Sequence, residues 1–262
     1  MVAWRALSAG TAAVAALAAA VAVGTGQGEG AASAPARRTA AVRPLSGKVV
    51  VIDPGHNGRN HAHPKTINKK VPAGPFRKAC DTTGTATSSG YAEHAYTFDL
   101  ATRLAALLRA QGATVRLTRP NDRGVGPCVN ERAAIGNRMR ADAAISIHAD
   151  GAPAARRGFH VILPGYLKGY TGPIVKPSKR LGYDVRDAFK RGAGQPYASY
   201  IGKNGIDVRK DLGGLNLSKV PKVFIECGNM RNATDAGKMR TPAWRQRAAG
   251  ALAAGLTAYL RR

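Results

Sequence analysis

The chain has 262 residues and 44% of them are hydrophobic, a length and composition typical of a globular protein with one sizeable core. Lys and Arg number 40 against 15 Asp and Glu, so the formal net charge is +25. These cations are scattered, and no nucleic-acid-binding motif with its aromatic pattern accompanies them. The composition therefore argues against nucleic acid as a partner and favours anionic polymers of the cell envelope.

Residues 1–34 have the pattern of a secretory signal peptide. Arg5 gives a positively charged start, residues 6–24 are uncharged and apolar, and the small residues Ala32-Ser33-Ala34 follow. Because Pro35 is a poor neighbour for cleavage, the cut is placed only between about residues 23 and 36. An uncleaved membrane anchor is the alternative, but the segment is weakly apolar. We expect a protein that is secreted, periplasmic or located in the cell wall.

The remaining chain alternates between strands and helices. Residues 35–46 lack periodicity and are predicted to be a flexible leader, which leaves 47–262 as one domain. Predicted strands cover 48–52, 114–118, 143–147, 158–163 and 220–226, and predicted helices cover 94–111, 129–140, 176–191 and 242–262. This alternation predicts an α/β fold with a twisted, mostly parallel sheet covered by helices on both faces.

Two stretches do not follow the alternation. Residues 57–92 read as a long polar, basic loop, and residues 164–214 contain many Gly, Tyr and Lys residues. Loops of this length in a compact domain are usually functional or disordered. The first could gate a cleft, recruit anionic polymer, or lack a fixed structure.

Three cysteines are present, and an odd number in an exported protein allows one disulfide and one thiol. Cys80 lies in the polar loop and Cys128 follows a Gly-Pro turn, whereas Cys227 continues an apolar strand. We predict a disulfide between Cys80 and Cys128, with Cys227 free.

Three predicted strands end in residues that can bind metal or transfer protons. His56, His148 and Glu226 follow the strands, and Glu93 opens the long helix after the first histidine. The carboxyl ends of parallel strands meet at one edge of a sheet, where ligands gather. Imidazole and carboxylate groups at such an edge predict a metal site there.

Six motifs, in chain order, identify a related family. They are Val-Ile-Asp-Pro-Gly-His56, Glu93, Leu117-Thr-Arg119, Asn130-Glu-Arg132, Ile145-Ser-Ile-His148-Ala-Asp and Phe224-Ile-Glu226-Cys-Gly-Asn. Together they resemble the zinc-dependent N-acetylmuramoyl-L-alanine amidases of bacterial cell walls, the amidase-3 family, in its actinobacterial type. The resemblance runs from about residue 48 to residue 260.

The resemblance implies a site and a reaction. One Zn²⁺ per chain would be bound by His56, Glu93 and His148 with water in the fourth position, and Glu226 would be the catalytic carboxylate. The substrate would be peptidoglycan or its released muropeptides, cleaved between N-acetylmuramic acid and the L-Ala of the stem peptide. Asp53 is expected to hold His56 in its liganding tautomer or brace its turn. Arg132 is expected in a structural or substrate-contacting role.

The other histidines are not expected to be ligands. His61 and His63 are predicted to be solvated, His94 lies about 100° around its helix from Glu93, and His160 is predicted to face solvent or the cleft rim.

Two other functions compete with the amidase. A zinc carboxypeptidase or peptidase can use similar ligands, although no arginine could be placed to bind a terminal carboxylate. A non-catalytic protein that binds polyanions of the wall is the other, but the four intact site residues argue against it. In each case a single compact domain favours a monomer.

Overall fold

The computed structural model describes residues 43–262, which form an α/β domain. The strands are β1 Val49–Pro54, β2 Lys70–Pro72, β3 Arg77–Ala79, β4 Thr114–Leu117, β5 Ala143–Asp150, β6 His160–Pro164, β7 Ile206–Arg209 and β8 Lys222–Asn229. The helices are α1 Pro64–Ile67, α2 Glu93–Ala110, α3 Val129–Arg138, α4 Gly172–Ala193, α5 Gly213–Asn216, α6 Ala233–Arg240 and α7 Pro242–Leu260. The predicted fold class is confirmed.

Six strands form the main sheet in the order β4-β1-β5-β8-β6-β7. All neighbouring pairs are parallel except β8 and β6, which are antiparallel. In this register Asp53 lies opposite Ser146, and Glu226 lies between His148 on one side and His160 on the other. The predicted strand ends are therefore adjacent in the middle of the sheet.

The two faces of the sheet differ in how they are covered. Ile145 and Ile147 of β5 and Val223 and Ile225 of β8 are fully buried in the main core, on the face that packs against α2, α4 and α7. Because side chains alternate along a strand, the intervening residues of both strands point to the opposite face. The small helices α3 and α5 cover only part of that face, which leaves room for a cavity.

The predicted signal peptide 1–34 and most of the predicted leader lie outside the described residues. Leu45, at the end of that leader, is fully buried, and its backbone N–H donates to the Gln111 carbonyl at 2.9 Å. The packed domain thus begins before residue 47. Within residues 43–262, the helices are too short or too polar to span a bilayer.

Residues 57–92 are more regular than the sequence predicted. They contain a 3-10 turn at Asn60–Ala62, the short helix α1, the β2–β3 hairpin, and Cys80, which forms the predicted disulfide with Cys128. Cys227 is free and buried, also as predicted. Elements of three or four residues are too short to show a hydrophobic period, so the pattern could not reveal them.

The second irregular stretch also contains regular elements. Helix α4 begins at Gly172, four residues before its predicted start, with Pro173 in its first turn where a missing N–H is tolerated. Strand β7 and helix α5 follow. The prediction missed α6, whose first turn is capped by the Asn232 side chain accepting from the N–H groups of Thr234 and Asp235.

Candidate metal centre

Three side chains with metal-binding atoms converge at the carboxyl edge of the sheet. His56 lies two residues beyond β1, Glu93 begins α2, and His148 lies in β5. Their candidate ligand atoms all lie within 4.8 Å of one another. His56 Nε2 is 3.1 Å from Glu93 Oε2, and His148 Nδ1 is 2.9 Å from Glu93 Oε1. The three residues that the sequence predicted as ligands are therefore brought together.

The Glu93 carboxylate is held at both oxygens. The Thr85 N–H donates to Oε2 at 2.9 Å, and the Ala149 N–H donates to Oε1 at 3.1 Å. Burial by itself raises the pKa of Glu93, but the charge of His56 and hydrogen bonds from His56 and His148 hold it well below its usual range. Glu93 is thus kept as the ionised form that can bind a cation.

The turn that carries His56 has a backbone conformation that non-glycine residues rarely adopt. His56 has φ of 59°, in the left-handed region that non-glycine residues rarely adopt. A Cβ atom at Gly55 would overlap the His148 ring, so the Pro-Gly-His order keeps the turn close to β5. Two buried guanidinium groups hold this turn: Arg132 Nη2 donates to the His56 carbonyl at 2.9 Å, and Arg119 Nη2 donates to the Gly55 carbonyl at 3.3 Å.

The outer nitrogen of His56 contacts residues that the sequence did not single out. His56 Nδ1 lies 3.1 Å from the Thr82 carbonyl and 3.3 Å from Asp81 Oδ1. Asp81 in turn accepts from Asn57 Nδ2 at 2.9 Å and lies 3.3 Å from Arg132 Nη2. These contacts orient the ring so that Nε2 faces Glu93. The only available signal was the position of Asp81 directly after Cys80.

Asp53, which the sequence placed against His56 or its turn, supports the turn indirectly. Its carboxylate accepts from Arg132 Nη1 at 2.9 Å, Thr118 Oγ1 at 2.7 Å, Ser146 Oγ at 2.9 Å and Lys222 Nζ at 3.1 Å. All five residues are buried. Arg132 thereby connects the Asp53 carboxylate to the His56 turn.

Glu226 lies beside the three candidate ligands but is not paired with them. Its Oε2 atom is buried and has no hydrogen-bond partner within the described part of the chain. Burial raises the pKa of Glu226 well above its usual value, and the nearby Glu93 and Asp150 carboxylates raise it further. A buried carboxylate without a partner is costly, which makes Glu226 a candidate functional group.

A cavity of about 380 Å³ opens in front of these groups. His56, Glu93, His148 and Glu226 line one part of it. The His148 ring stacks on Phe224, with 4.0 Å between ring centroids, which fixes the imidazole against β8. The site is thus a preformed cleft with metal-binding groups and a free carboxylate at one end.

The remaining histidines lie outside this centre. His94 Nδ1 pairs with Asp122 at 2.7 Å, His61 is exposed and His63 is half-buried. The prediction for His160 was wrong: it is buried rather than solvent-facing, because antiparallel pairing of β6 places it opposite Glu226 in the sheet interior. The sequence did not reveal that β6 is an interior strand of the sheet, with β8 on one side and β7 on the other.

The residues present fit a divalent metal ion. Two imidazoles and one ionised carboxylate are a common set of three protein ligands for a catalytic metal, which leaves a position for water. The unpartnered Glu226 oxygen is the kind of group that would transfer a proton beside such an ion. Fold and site together define the class as a hydrolase with a candidate metal site.

Comparison with known proteins identifies the family. The family model described as N-acetylmuramoyl-L-alanine amidase matches residues 50–258, and the chain belongs to this family. An N-acetylmuramoyl-L-alanine amidase of Mycobacterium tuberculosis is 42% identical over 222 residues, which cover 82% of this chain and 88% of that protein. The probable cell wall amidase LytH of Staphylococcus aureus is 27% identical over 226 residues, covering 86% of this chain and 62% of LytH.

Solved structures agree with this assignment. The crystal structure of an N-acetylmuramyl-L-alanine amidase from Mycobacterium smegmatis has a TM-score of 0.77 and 42% sequence identity to this chain. The match covers 82% of this chain and 98% of the other. The expected actinobacterial type of the family is therefore confirmed.

Proposed function

We propose that this protein is a secreted, zinc-dependent hydrolase that cleaves peptidoglycan between N-acetylmuramic acid and the L-Ala of the stem peptide. One observation carries the proposal: the buried, unpartnered Glu226 carboxylate lies beside His56, Glu93 and His148, whose ligand atoms lie within 4.8 Å of one another. Family membership and the mycobacterial relative support the choice of this amide bond.

In this proposal, one group of side chains holds the zinc ion and another keeps His56 in place. His56 Nε2, His148 Nδ1 and the Glu93 carboxylate would hold the zinc ion, since these atoms face one another. Zinc, when bound, would acidify water and stabilise negative charge on the amide carbonyl oxygen. The Arg132 and Asp81 contacts keep His56 in its liganding orientation.

Glu226 would act as the general base and then as the general acid. Its carboxylate would accept a proton from the attacking water and deliver it to the nitrogen of the departing L-Ala. Burial and the nearby Glu93 carboxylate raise the pKa of Glu226, which favours its holding that proton between the two transfers. The free Oε2 atom is the acceptor in this proposal because no described residue occupies it.

Digestion of muropeptides by the purified protein, with and without a chelator, tests the function by mass analysis of the products. Metal-dependent release of stem peptide with an L-Ala amino terminus supports the amidase. Release of terminal D-Ala alone would instead indicate a carboxypeptidase. Absence of metal-dependent cleavage, together with wall binding that weakens as salt rises, would indicate a non-catalytic binding protein.

A Glu226→Gln variant tests the assigned base. It should retain the metal content of the wild type and lose about 10²–10⁴-fold in kcat. Glu131→Gln is a matched control, since Glu131 is exposed and its oxygen accepts from the Cys128 N–H at the start of α3. Full activity in Glu226→Gln would refute the assignment.

The proposed location is outside the cytoplasmic membrane. The Cys80–Cys128 disulfide supports this location, because disulfides persist mainly in oxidising compartments. The predicted signal peptide supports it as well, and the relatives include the probable cell wall amidase LytH.

Anionic wall polymers are the proposed second partner. The outer face of α4 carries Lys179, Tyr183, Arg186 and Lys190. Arg186 Cζ lies 4.4 Å from the Tyr183 ring centroid, and Lys190 Nζ lies 4.2 Å from that of Tyr197. Cations arranged over aromatic rings form a surface that suits a polyanion. This surface lies on the core side of the sheet, away from the cleft, so binding there would leave the metal centre accessible.

A further inference from the structure

The cavity continues past the metal centre to a buried lysine. Lys222, Phe224 and Glu226 are alternate residues of β8, so they point to the same face of the sheet, and all three line the cavity. Glu226 lies at the metal end. Lys222 lies four residues earlier on the strand, roughly 13 Å away between Cα atoms at about 3.3 Å per residue. A cation therefore lines the same cleft, and its ammonium reaches across to Asp53.

The Lys222 ammonium has more N–H donors than hydrogen-bond acceptors around it. Its ammonium carries three N–H groups, and its single acceptor among residues 43–262 is Asp53 Oδ2 at 3.1 Å. The other buried cation of the cavity, Arg132, instead directs its guanidinium at Asp53, Asp81 and backbone carbonyls. Of these two buried cations, Lys222 is the one that can bind a ligand.

There is room for a ligand in front of this ammonium. A Cβ atom added to Gly214 would lie 3.5 Å from Lys222 Nζ, so the missing side chain leaves space at that point. Val129, Leu212 and Leu215 form apolar walls around the same part of the cavity. An ammonium at the end of an apolar-walled cleft fits a carboxylate carried on a short chain.

We propose that Lys222 binds a carboxylate of the stem peptide, namely the one on the second residue after the scissile amide. This subsite rests on the proposed amidase function. Asp53, which holds Lys222, also accepts from Ser146, two residues or about 7 Å along β5 from the ligand His148. Two residues of extended stem peptide span about 7 Å as well. The second residue of the stem can thus reach Lys222 when its first amide lies at the metal centre.

The subsite predicts a preference between two forms of the substrate. The α-carboxyl group of γ-linked D-Glu at this position can be free or amidated; the carboxamide oxygen can accept a hydrogen bond from Lys222, but only the free carboxylate can form an ion pair with it. We therefore expect wild-type kcat/KM to be about 10-fold higher for the carboxylate form.

The test uses N-acetylmuramoyl-L-Ala-γ-D-Glu-L-Lys and its α-carboxamide, which differ at this single group. Lys222→Met should remove the preference, so that the ratio of kcat/KM for the carboxylate substrate to that for the carboxamide falls from about 10 to about 1. The ratio of the two values, measured on one preparation, does not depend on the fraction of folded enzyme. Lys222→Gln, which retains a donor for Asp53, should give the same ratio. Lys219→Met, at an exposed lysine three residues earlier, should keep the wild-type ratio.

Equal cleavage of both substrates by the wild type, or an equal fall for both in Lys222→Met, would overturn the subsite and leave Lys222 a structural role. Failure to cleave either substrate would instead refute the proposed function. In that case, calorimetry with the free peptide L-Ala-γ-D-Glu-L-Lys and its α-carboxamide still decides the subsite: tighter wild-type binding of the carboxylate that Lys222→Met removes would support it, and equal binding would overturn it.

Discussion

Replacing Asp53 by Asn tests whether the buried charge network contributes more to the free energy of unfolding than the ion pairs at the surface do. Asp53 is the shared counterion of Arg132 and Lys222, and all three residues are buried. Asn keeps the shape but removes the charge, which leaves two buried cations facing an amide. Breaking a buried pair in this way costs about 3–5 kcal/mol. For a domain of this size, that corresponds to a fall in Tm of about 6–20 °C.

Asp99→Asn is the matched control, because Asp99 also pairs with two arginines, Arg103 and Arg245. Its side chain is 33% exposed, against 5% for Asp53. Solvent screens the exposed pairs, so this change should cost about 1 kcal/mol or less. Urea unfolding at neutral pH measures both differences, and a loss in Asp53→Asn no larger than that in Asp99→Asn would refute the reasoning.

The pH dependence gives a second check on the same variant. Burial by itself raises the pKa of Asp53, but the Lys222 ammonium and the Arg132 guanidinium outweigh it and hold the pKa well below its usual range. A carboxylate with a lowered pKa contributes its full stability above its unfolded value of about 3.9, and that contribution is lost as the pH falls further. The difference in unfolding free energy between wild type and Asp53→Asn should be constant from about pH 5 to about pH 8 and shrink below about pH 4. A difference that grows on acidification would show that Asp53 is not ionised in the folded protein.

Two further predictions concern residues of the 57–92 segment. Asp81→Ala removes a contact of His56 Nδ1 and should weaken zinc binding about 10–100-fold by equilibrium dialysis, with Asp81→Asn losing less; unchanged affinity in Asp81→Ala would contradict this. Replacing Cys80 and Cys128 together by Ser opens a link across 48 residues and should lower the free energy of unfolding by about 4 kcal/mol. Reduction of the wild type should reproduce that loss, and a variant as stable as the oxidised protein would show that the link contributes little.

The two histidines and Glu226 could be picked out from the sequence because each marks the end of a short apolar strand. His148 and Glu226 follow runs that become the central strands β5 and β8, and parallel pairing brings their ends together. His56 follows a Pro-Gly step whose close approach to β5 leaves no room for a larger residue. In these cases local pattern and sheet geometry carry the same information, so the prediction needs no knowledge of the loops.

Asp81 and Lys222 could not be predicted in the same way. Asp81 reaches His56 from a segment whose elements are three or four residues long and carry no period. Lys222 opens a strand, where a charged residue normally marks solvent, yet its ammonium reaches Asp53 two strands away in the sheet. Contacts of this kind depend on register and side-chain length, which periodicity does not encode.

Arg132 explains why these two residues belong to one system. Its Nη1 atom donates to Asp53, which holds Lys222, and its Nη2 atom donates to the His56 carbonyl and lies beside Asp81. One guanidinium therefore joins the support of His56 to the support of the Lys222 ammonium. Because a planar guanidinium fixes the directions of its donors, the distance between the metal centre and the Lys222 ammonium is set by this network. In the proposed subsite that distance would decide which residue of a stem peptide can reach Lys222, so substrate preference and the orientation of His56 would share one structural cause.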